Sequence, residues 1–426
     1  MIKSSTTRKI AGNTIYQIIG KLISMVITMT AVMIVTRTYG REGYGEFSLM
    51  QSWPALFFVI ADFGINAIAT RELTKDWSKA NRYFGNILMI RFIFSLLLIF
   101  IVSFVVGLFP YSADLKSGIR LGLFLILTQS LYSTTNIFFQ VKLKYDYATI
   151  AYTAGYIFIF LSVLVLSYLK ISVTWVNFSY VLGGMITFIF SLLFAKKLGV
   201  SPDFTFDKEL WKSLFKSSLP IGIMFLFSQM SFKEDALMLS FLKLPASYGL
   251  NNTESVAVYA LPYKVFEVLL VVPTFFMNSV YPILVNHMSE GKERLKDTFS
   301  RVICFLLISG LVVGALGVIF SPLAINLLGG SEFSQSINVL KILSGGIFIF
   351  YITSSLSWLI VTLGYQKFLP WIYFSSFTFN MVANFIFIPK YSFYGASWIT
   401  VISEFIVLIL LILFARKSWK LKYDEP

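Results

Sequence analysis

Twelve apolar stretches, separated by loops that alternate between strongly basic and nearly uncharged, dominate this chain of 426 residues. They are read at 13–36, 47–69, 83–109, 119–141, 148–169, 173–194, 214–242, 255–285, 299–320, 336–363, 368–388 and 394–415. Runs of about 20 apolar residues cross a hydrocarbon core of roughly 30 Å as helices. They are continuous, unlike the alternating segments of about ten residues in a barrel. Lipid offers the backbone no hydrogen bonds, so each span must satisfy itself as a helix. A charged fraction of 13% excludes a water-soluble globule, for which about a quarter is usual. The expectation is an all-α membrane protein of 12 transmembrane helices.

The loop charges set the orientation. With the N-terminus in the cytoplasm, 21 of the 35 Lys/Arg fall in cytoplasmic stretches. The opposite loops hold Arg41, Lys116, Lys170, Lys243 and Lys390. Short loops with such a bias stay on the cytoplasmic side, so both termini are expected there, in a multi-pass protein of the bacterial cytoplasmic (inner) membrane. The net charge of +14 is then topogenic charge facing anionic membrane lipids. No nucleic-acid partner is expected, because no recognition motif is present.

Several chemistries find no residues to carry them. The single cysteine, Cys304, lies inside a span, and the single histidine, His287, at a span end. No catalytic residue, metal site or cofactor is expected, since thiolate clusters, histidine metal sites and Ser-His-Asp triads need partners the chain lacks. No phosphate-binding glycine loop appears. Met1–Ile10 is short and polar, so a cleavable signal peptide is not expected. The loops reach about 20 residues, too few for a folded extramembrane catalytic domain on the usual domain scale.

The chain reads as two halves: an N-terminal six-helix lobe (1–198), a cytoplasmic linker (199–212) and a C-terminal six-helix lobe (213–426). A weak repeat relates the segment beginning at Tyr44 to that beginning at Tyr259. Parallel six-helix repeats are a recurrent transporter plan, with the substrate held near the midplane.

Ionisable residues within spans point to the interior. A charged side chain at the bilayer centre costs about 2.5–3.5 kcal/mol on insertion scales. In the first span Asn13, Gln17, Lys21, Ser24 and Thr28 share a helix face. In the second, Ser48, Ser52, Ala55, Asp62 and Asn66 form a comparable small or polar face. Lys233 in the seventh span is followed by Glu234 and Asp235, and the eighth carries Tyr259, Tyr263, Lys264 and Glu267. The expected substrate-binding cations are Lys21, Arg37, Arg71, Arg91, Lys233 and Lys264. Arg37 and Arg71 lie near span ends, where snorkelling is an equal explanation. Asp62, Asp235 and Glu267 are the candidate coupling or charge-balancing acids, and Glu404 is a further candidate. The excess of cations suits an anionic substrate group such as a phosphate or pyrophosphate.

Three stretches carry a resemblance. The first is Tyr39-Gly40-Arg41-Glu42-Gly43-Tyr44-Gly45-Glu46-Phe47-Ser48, continuing to Ala61-Asp62-Phe63-Gly64 and Thr70-Arg71-Glu72-Leu73. The second is Asn380 to Tyr391, followed by Gly395-Ala396 and Thr400. The third is Gly330-Ser331-Glu332-Phe333 with Val339 to Leu343. Together they resemble the bacterial polysaccharide repeat-unit (O-antigen type) flippases of the multidrug/oligosaccharidyl-lipid/polysaccharide exporter superfamily. Ser392 and Trp398 replace smaller residues usual there. Turn-making is the physical role expected of Gly40, Gly43 and Gly45, and of Pro389 and Gly395.

The resemblance implies a V-shaped transporter with a central cavity. It implies a polyprenyl (undecaprenyl) pyrophosphate glycan as the lipid-linked oligosaccharide carried, with H+ or Na+ as the coupling ion. A glycan polymerase and a chain-length regulator of the same pathway would be its partners. Two alternatives stay open at this stage: a cation-coupled drug antiporter of the same superfamily, and a membrane glycan polymerase or ligase.

Overall fold

The computed structural model describes the backbone of residues 4–423, and the side chains of residues 17–423 apart from 220, 221, 224, 228, 231 and 232. Asn13 of the first-span stripe, and Lys3, Arg8 and Lys9 of the charge count, lie outside the described side chains. Helix is the regular structure of the described residues, which include no strand. Among them, seven helices are long and apolar enough to cross a membrane, or eight if one bent pair is a single span.

The chain forms two compact units, Met1–Gln229 and Met230–Pro426. The first contains α1 (Ser4–Asp62), α2 (Ile65–Lys75), α3 (Ala80–Gly107), α4 (Ala113–Gly122), α5 (Phe124–Val141), α6 (Tyr145–Tyr168) and α7 (Val173–Lys197). It also takes the first two-thirds of α8 (Lys208–Phe241). The second contains the rest of α8, then α9 (Asn252–Leu269), α10 (Val271–Glu290), α11 (Lys292–Leu328), α12 (Ser334–Gly345), α13 (Ile347–Thr362) and α14 (Leu369–Tyr423).

Two helices are far longer than a bilayer is thick. The 59 residues of α1 would reach roughly 88 Å if straight. Gly40 interrupts them with φ 66° and ψ −164°, a conformation open to glycine and costly for other residues. One residue therefore does the work expected of a short loop at 37–46. The 55 residues of α14 are interrupted in the same way, at Ser392 (φ 49°, ψ −136°). The break falls between Pro389 and Gly395, the residues expected to make that turn. Pro389 stays helical, and Gly395 serves close packing instead, since a Cβ there would stand 2.8 Å from the Phe387 carbonyl oxygen.

The core is apolar, but so is much of the outer surface. Large apolar side chains point outward, among them Phe100 and Phe104 of α3 and Ile319 and Leu323 of α11. Small polar residues such as Ser95, Thr128, Ser130, Asn177 and Thr187 are buried between helices. Lipid is as apolar as leucine, so helix association relies on close contact and internal hydrogen bonds. In unit 1, α6 and α7 meet through Gly155 and Gly183. A Cβ on either would stand within 3 Å of the other's carbonyl oxygen.

The stretch 199–207 before α8 is strapped to the start of α3. Ser201 N–H donates to Asn81 Oδ1 at 3.0 Å, and Asp203 N–H to the Asn81 carbonyl at 3.0 Å. Asn86 Nδ2 donates to the Thr205 carbonyl, while its Oδ1 accepts from Asp207 N–H and Trp211 Nε1. Asp207 also pairs with Arg82 and caps α8 by accepting from Leu210 N–H at 3.0 Å. The Leu210 N–H, followed by the Arg82 guanidinium, holds the Asp207 carboxyl below the usual carboxylate range.

Candidate functional site

The first polar cluster lies in unit 1, where the second span breaks. Helix α1 ends at Asp62, Phe63 and Gly64 take positive φ (40° and 73°), and α2 starts at Ile65. A fully buried guanidinium, Arg91 of α3, pairs with Asp62 there. Arg91 also donates to Asn66 Oδ1 at 3.0 Å, Thr134 Oγ1 at 2.9 Å and the Ser130 carbonyl at 3.2 Å. Asn66 Nδ2 donates to Asp62 Oδ1 (3.0 Å) and Ser133 Oγ (2.6 Å), and Ser133 donates to Asp62 (3.2 Å). Asp62 and Asn66 thus stay together across the break. Arg91 is engaged by three elements, α1, α2 and α5, and its charge is matched within the unit.

The second cluster, in unit 2, is cationic. Lys233 Nζ of α8 donates to Glu267 Oε1 at 2.7 Å, and Lys264 Nζ of α9 to Glu267 Oε2 at 2.9 Å. Two ammonium groups thus share one carboxylate. Lys264 and Glu267 are one helical turn apart, whereas Lys233 reaches Glu267 across 34 residues of sequence. The Lys233 ammonium also lies 5.9 Å from the Tyr263 ring centroid, a cation–π distance. All three side chains are partly exposed, at 21% for Lys233, 38% for Lys264 and 33% for Glu267.

The third cluster, also in unit 2, is acidic. Lys233 and Asp235 are two residues apart, so helical geometry turns them about 200° from each other. Asp235 is fully buried. Its Oδ2 accepts from Tyr259 Oη at 2.5 Å and Thr400 Oγ1 at 2.8 Å, and its Oδ1 from Asn384 Nδ2 at 2.5 Å. With its amide nitrogen turned toward the acids, Asn380 lies 2.9 Å from Glu234 Oε1 and 3.1 Å from Asp235 Oδ1. Glu234 is buried too, and its Oε2 lacks a hydrogen-bond partner. Among the described residues neither acid pairs with a lysine or arginine. Neutral donors from α9 and both halves of α14 surround this acid pair of α8. Nearby in unit 2, Thr353 of α13 donates to Glu404 of α14.

The other expected cations sit differently. Lys21 and Arg37 of α1 are exposed. Arg71 of α2 is exposed and pairs with Glu72 at 3.0 Å. Lys75 and then Arg71 hold the Glu72 carboxyl below its usual range. The sequence offered Asp235 as a candidate acid but did not join it to Asn380, Asn384 and Thr400, although these lie in the motif that carried the resemblance. The 3.6-residue period places Asn380 and Asn384 on one face, which was a usable signal.

Comparison with known proteins gives the family of the chain. The family model described as "Polysaccharide biosynthesis protein" matches residues 10–288, and that described as "MatE" matches residues 220–386. No protein of curated function matched. Solved structures share the fold, the following three among them. The inward-facing conformation of a multidrug resistance MATE family transporter of the MOP superfamily has TM-score 0.75 at 16% identity, covering 94% of this chain and 96% of the other. Lipid II flippase MurJ, inward closed, has TM-score 0.74 at 14% identity, covering 95% and 89%. A MOP superfamily transporter from Pyrococcus furiosus, noted for the reverse polarity of its binding pocket, has TM-score 0.66 at 17% identity, covering 97% and 95%. With a family match over most of its length and a MOP transporter fold throughout, this multi-pass membrane chain belongs to the Polysaccharide biosynthesis protein family.

Proposed function

We propose that this protein flips polyprenyl-pyrophosphate-linked oligosaccharides across the bacterial cytoplasmic membrane by alternating access, for O-antigen or a related surface polysaccharide. The observation that carries this reading is the pair Lys233 and Lys264 sharing one carboxylate, Glu267, within spans of the second unit. Two ammonium groups thus gather at one carboxylate within membrane-spanning helices. Ionisable groups within spans mark substrate or ion paths, and paired ammonium groups offer charge-assisted hydrogen bonds to a pyrophosphate. Family membership supports the same substrate class. Twelve spans, two six-helix lobes and two cytoplasmic termini complete the proposal, with a glycan polymerase and a chain-length regulator as partners.

The cation-free acid pair Glu234–Asp235 is the proposed coupling site, for H+ or Na+. Its shell of one amide-rich and two hydroxyl-bearing segments offers oxygens to a hard cation, or a dry site to a proton. Asp62 is less suited, because Arg91 already matches its charge. Glu267 is likewise engaged by two lysines.

The experiment is deletion in the source bacterium, followed by extraction of lipid-linked repeat units and a leaflet-accessibility assay. Accumulation of complete repeat units on the cytoplasmic leaflet supports the proposal. Normal glycan export from the deletion strain overturns it. A second reading, a cation-coupled drug exporter, is favoured by the MatE match over residues 220–386. It predicts drug hypersensitivity with unchanged lipid-linked intermediates.

A further inference from the structure

Away from these clusters, α10 and α11 enclose a groove of about 610 Å³ where the two helices meet. Phe276, Val280, Ile283 and His287 follow one another at three- and four-residue steps on one face of α10. Arg294, Thr298, Arg301 and Phe305 do the same on α11. The groove therefore changes character along its length. At one end Phe276 and Phe305 stack with centroids 4.5 Å apart. At the other stand Arg294 and Arg301, with His287 Nδ1 held 2.7 Å from Thr298 Oγ1.

The arginines are not bare. Arg294 Nε pairs with Glu290 at 3.2 Å, and an Arg301 terminal nitrogen with Asp297 at 2.9 Å, both in exposed one-turn pairs. Such pairs are weak and exchange readily. Each acid meets one nitrogen of a guanidinium that has five N–H donors. A phosphate between the two arginines would add charge-assisted, bidentate bonds without breaking either pair.

We propose that this groove binds the phosphate headgroup of an anionic glycerophospholipid, with an acyl chain laid along Phe276 and Phe305. The apolar end runs into the exposed face of α11, through Phe305, Ile308 and Val312. That face meets lipid in a membrane-spanning helix, so the groove opens onto the bilayer itself. Free phosphate would leave the aromatic half unused, and a cationic drug would meet two guanidinium groups. The bulk anionic lipid carries both required parts and is always present. The inference does not depend on what the protein transports.

The test uses the full-length protein in detergent, offered equal amounts of phosphatidylglycerol and phosphatidylcholine, with retained lipid read by native mass spectrometry. The wild type should retain phosphatidylglycerol at least ten-fold over phosphatidylcholine. Arg294→Gln/Arg301→Gln should lose that preference, and Phe305→Ala should weaken retention of both lipids, at unchanged elution on gel filtration. Equal retention of the two lipids by the wild type overturns the proposal. So does an unchanged preference in the double variant. Two competitions on the wild type need no variant. Displacement of the lipid by millimolar inorganic phosphate, or by stoichiometric polyprenyl phosphate, would assign the groove to those ligands and overturn the phospholipid. Resistance to both supports it.

Discussion

Arg91 and Asp62 form an ion pair at the point where the second span breaks, and the two ends of that pair are not equally buried. The guanidinium is wholly inaccessible, whereas the carboxylate is 20% exposed. Deleting the acid leaves an enclosed cation that cannot discharge, because arginine stays protonated. Deleting the base leaves a carboxylate that solvent already reaches. Asp62→Ala should therefore destabilise the protein by about 3–5 kcal/mol, and Arg91→Leu by clearly less. Fluorescence-detected gel filtration after graded heating would read the order, and equal losses would contradict the argument.

The shared carboxylate of unit 2 gives a prediction about transport. Under the proposed function, Lys233→Met and Lys264→Met each remove one charge-assisted contact to the substrate phosphate, worth about 1.5–3 kcal/mol. Flipping in proteoliposomes should fall about ten- to a hundred-fold. Membrane levels should hold, since Glu267 keeps one lysine partner in each variant. Wild-type flipping in both would remove the phosphate site.

Asp235→Asn keeps the shape and hydrogen-bonding neighbours of the acid cluster but not its charge. Stability should change by no more than about 1–2 kcal/mol. Dependence of transport on an imposed H+ or Na+ gradient should vanish, as measured by flipping with and without each gradient. Cation dependence equal to that of the wild type would exclude Asp235 as the coupling group.

Ser392 pays for its turn twice over: its φ of 49° belongs to glycine, and its buried hydroxyl lacks a partner. Ser392→Gly should raise stability by about 1 kcal/mol, visible as a higher midpoint in the same heating assay. A lower midpoint would mean that the serine hydroxyl contributes something its surroundings do not reveal.

The strap before α8 has a pH signature. Because the folded-state pKa of Asp207 is depressed, its contribution is present above the unfolded value and lost as pH falls through the folded one. Protection of the Leu210 amide from exchange, corrected for intrinsic rates, should hold down to about pH 4 and decline below it. Asp207→Asn should show reduced protection at every pH. A wild-type decline that begins near neutrality would point to another group.

How much of this the chain disclosed depends on the range of the interaction. The all-helical membrane class follows from local hydropathy and was legible; seven helices, or eight with the bent pair, reach spanning length among the described residues. The Lys264–Glu267 contact follows from helical spacing and was legible too. Lys233 with Glu267, and Asp62 with Arg91, are separated by 34 and 29 residues. No periodicity joins residues on different helices, so the acids could be listed but not assigned to their partners. The turn at Ser392 was hidden for a different reason. Sequence reading assigns turns to proline and glycine, yet here close packing claimed the glycine and the helix kept the proline.

The strap has a genetic consequence. Ser201, Asp203, Thr205 and Asp207 bind α3 through their own backbone and side-chain atoms, so covalent continuity with α7 adds little to holding the start of α8 in place. A gene divided after codon 199, its halves expressed from separate promoters, should reassemble into a working carrier.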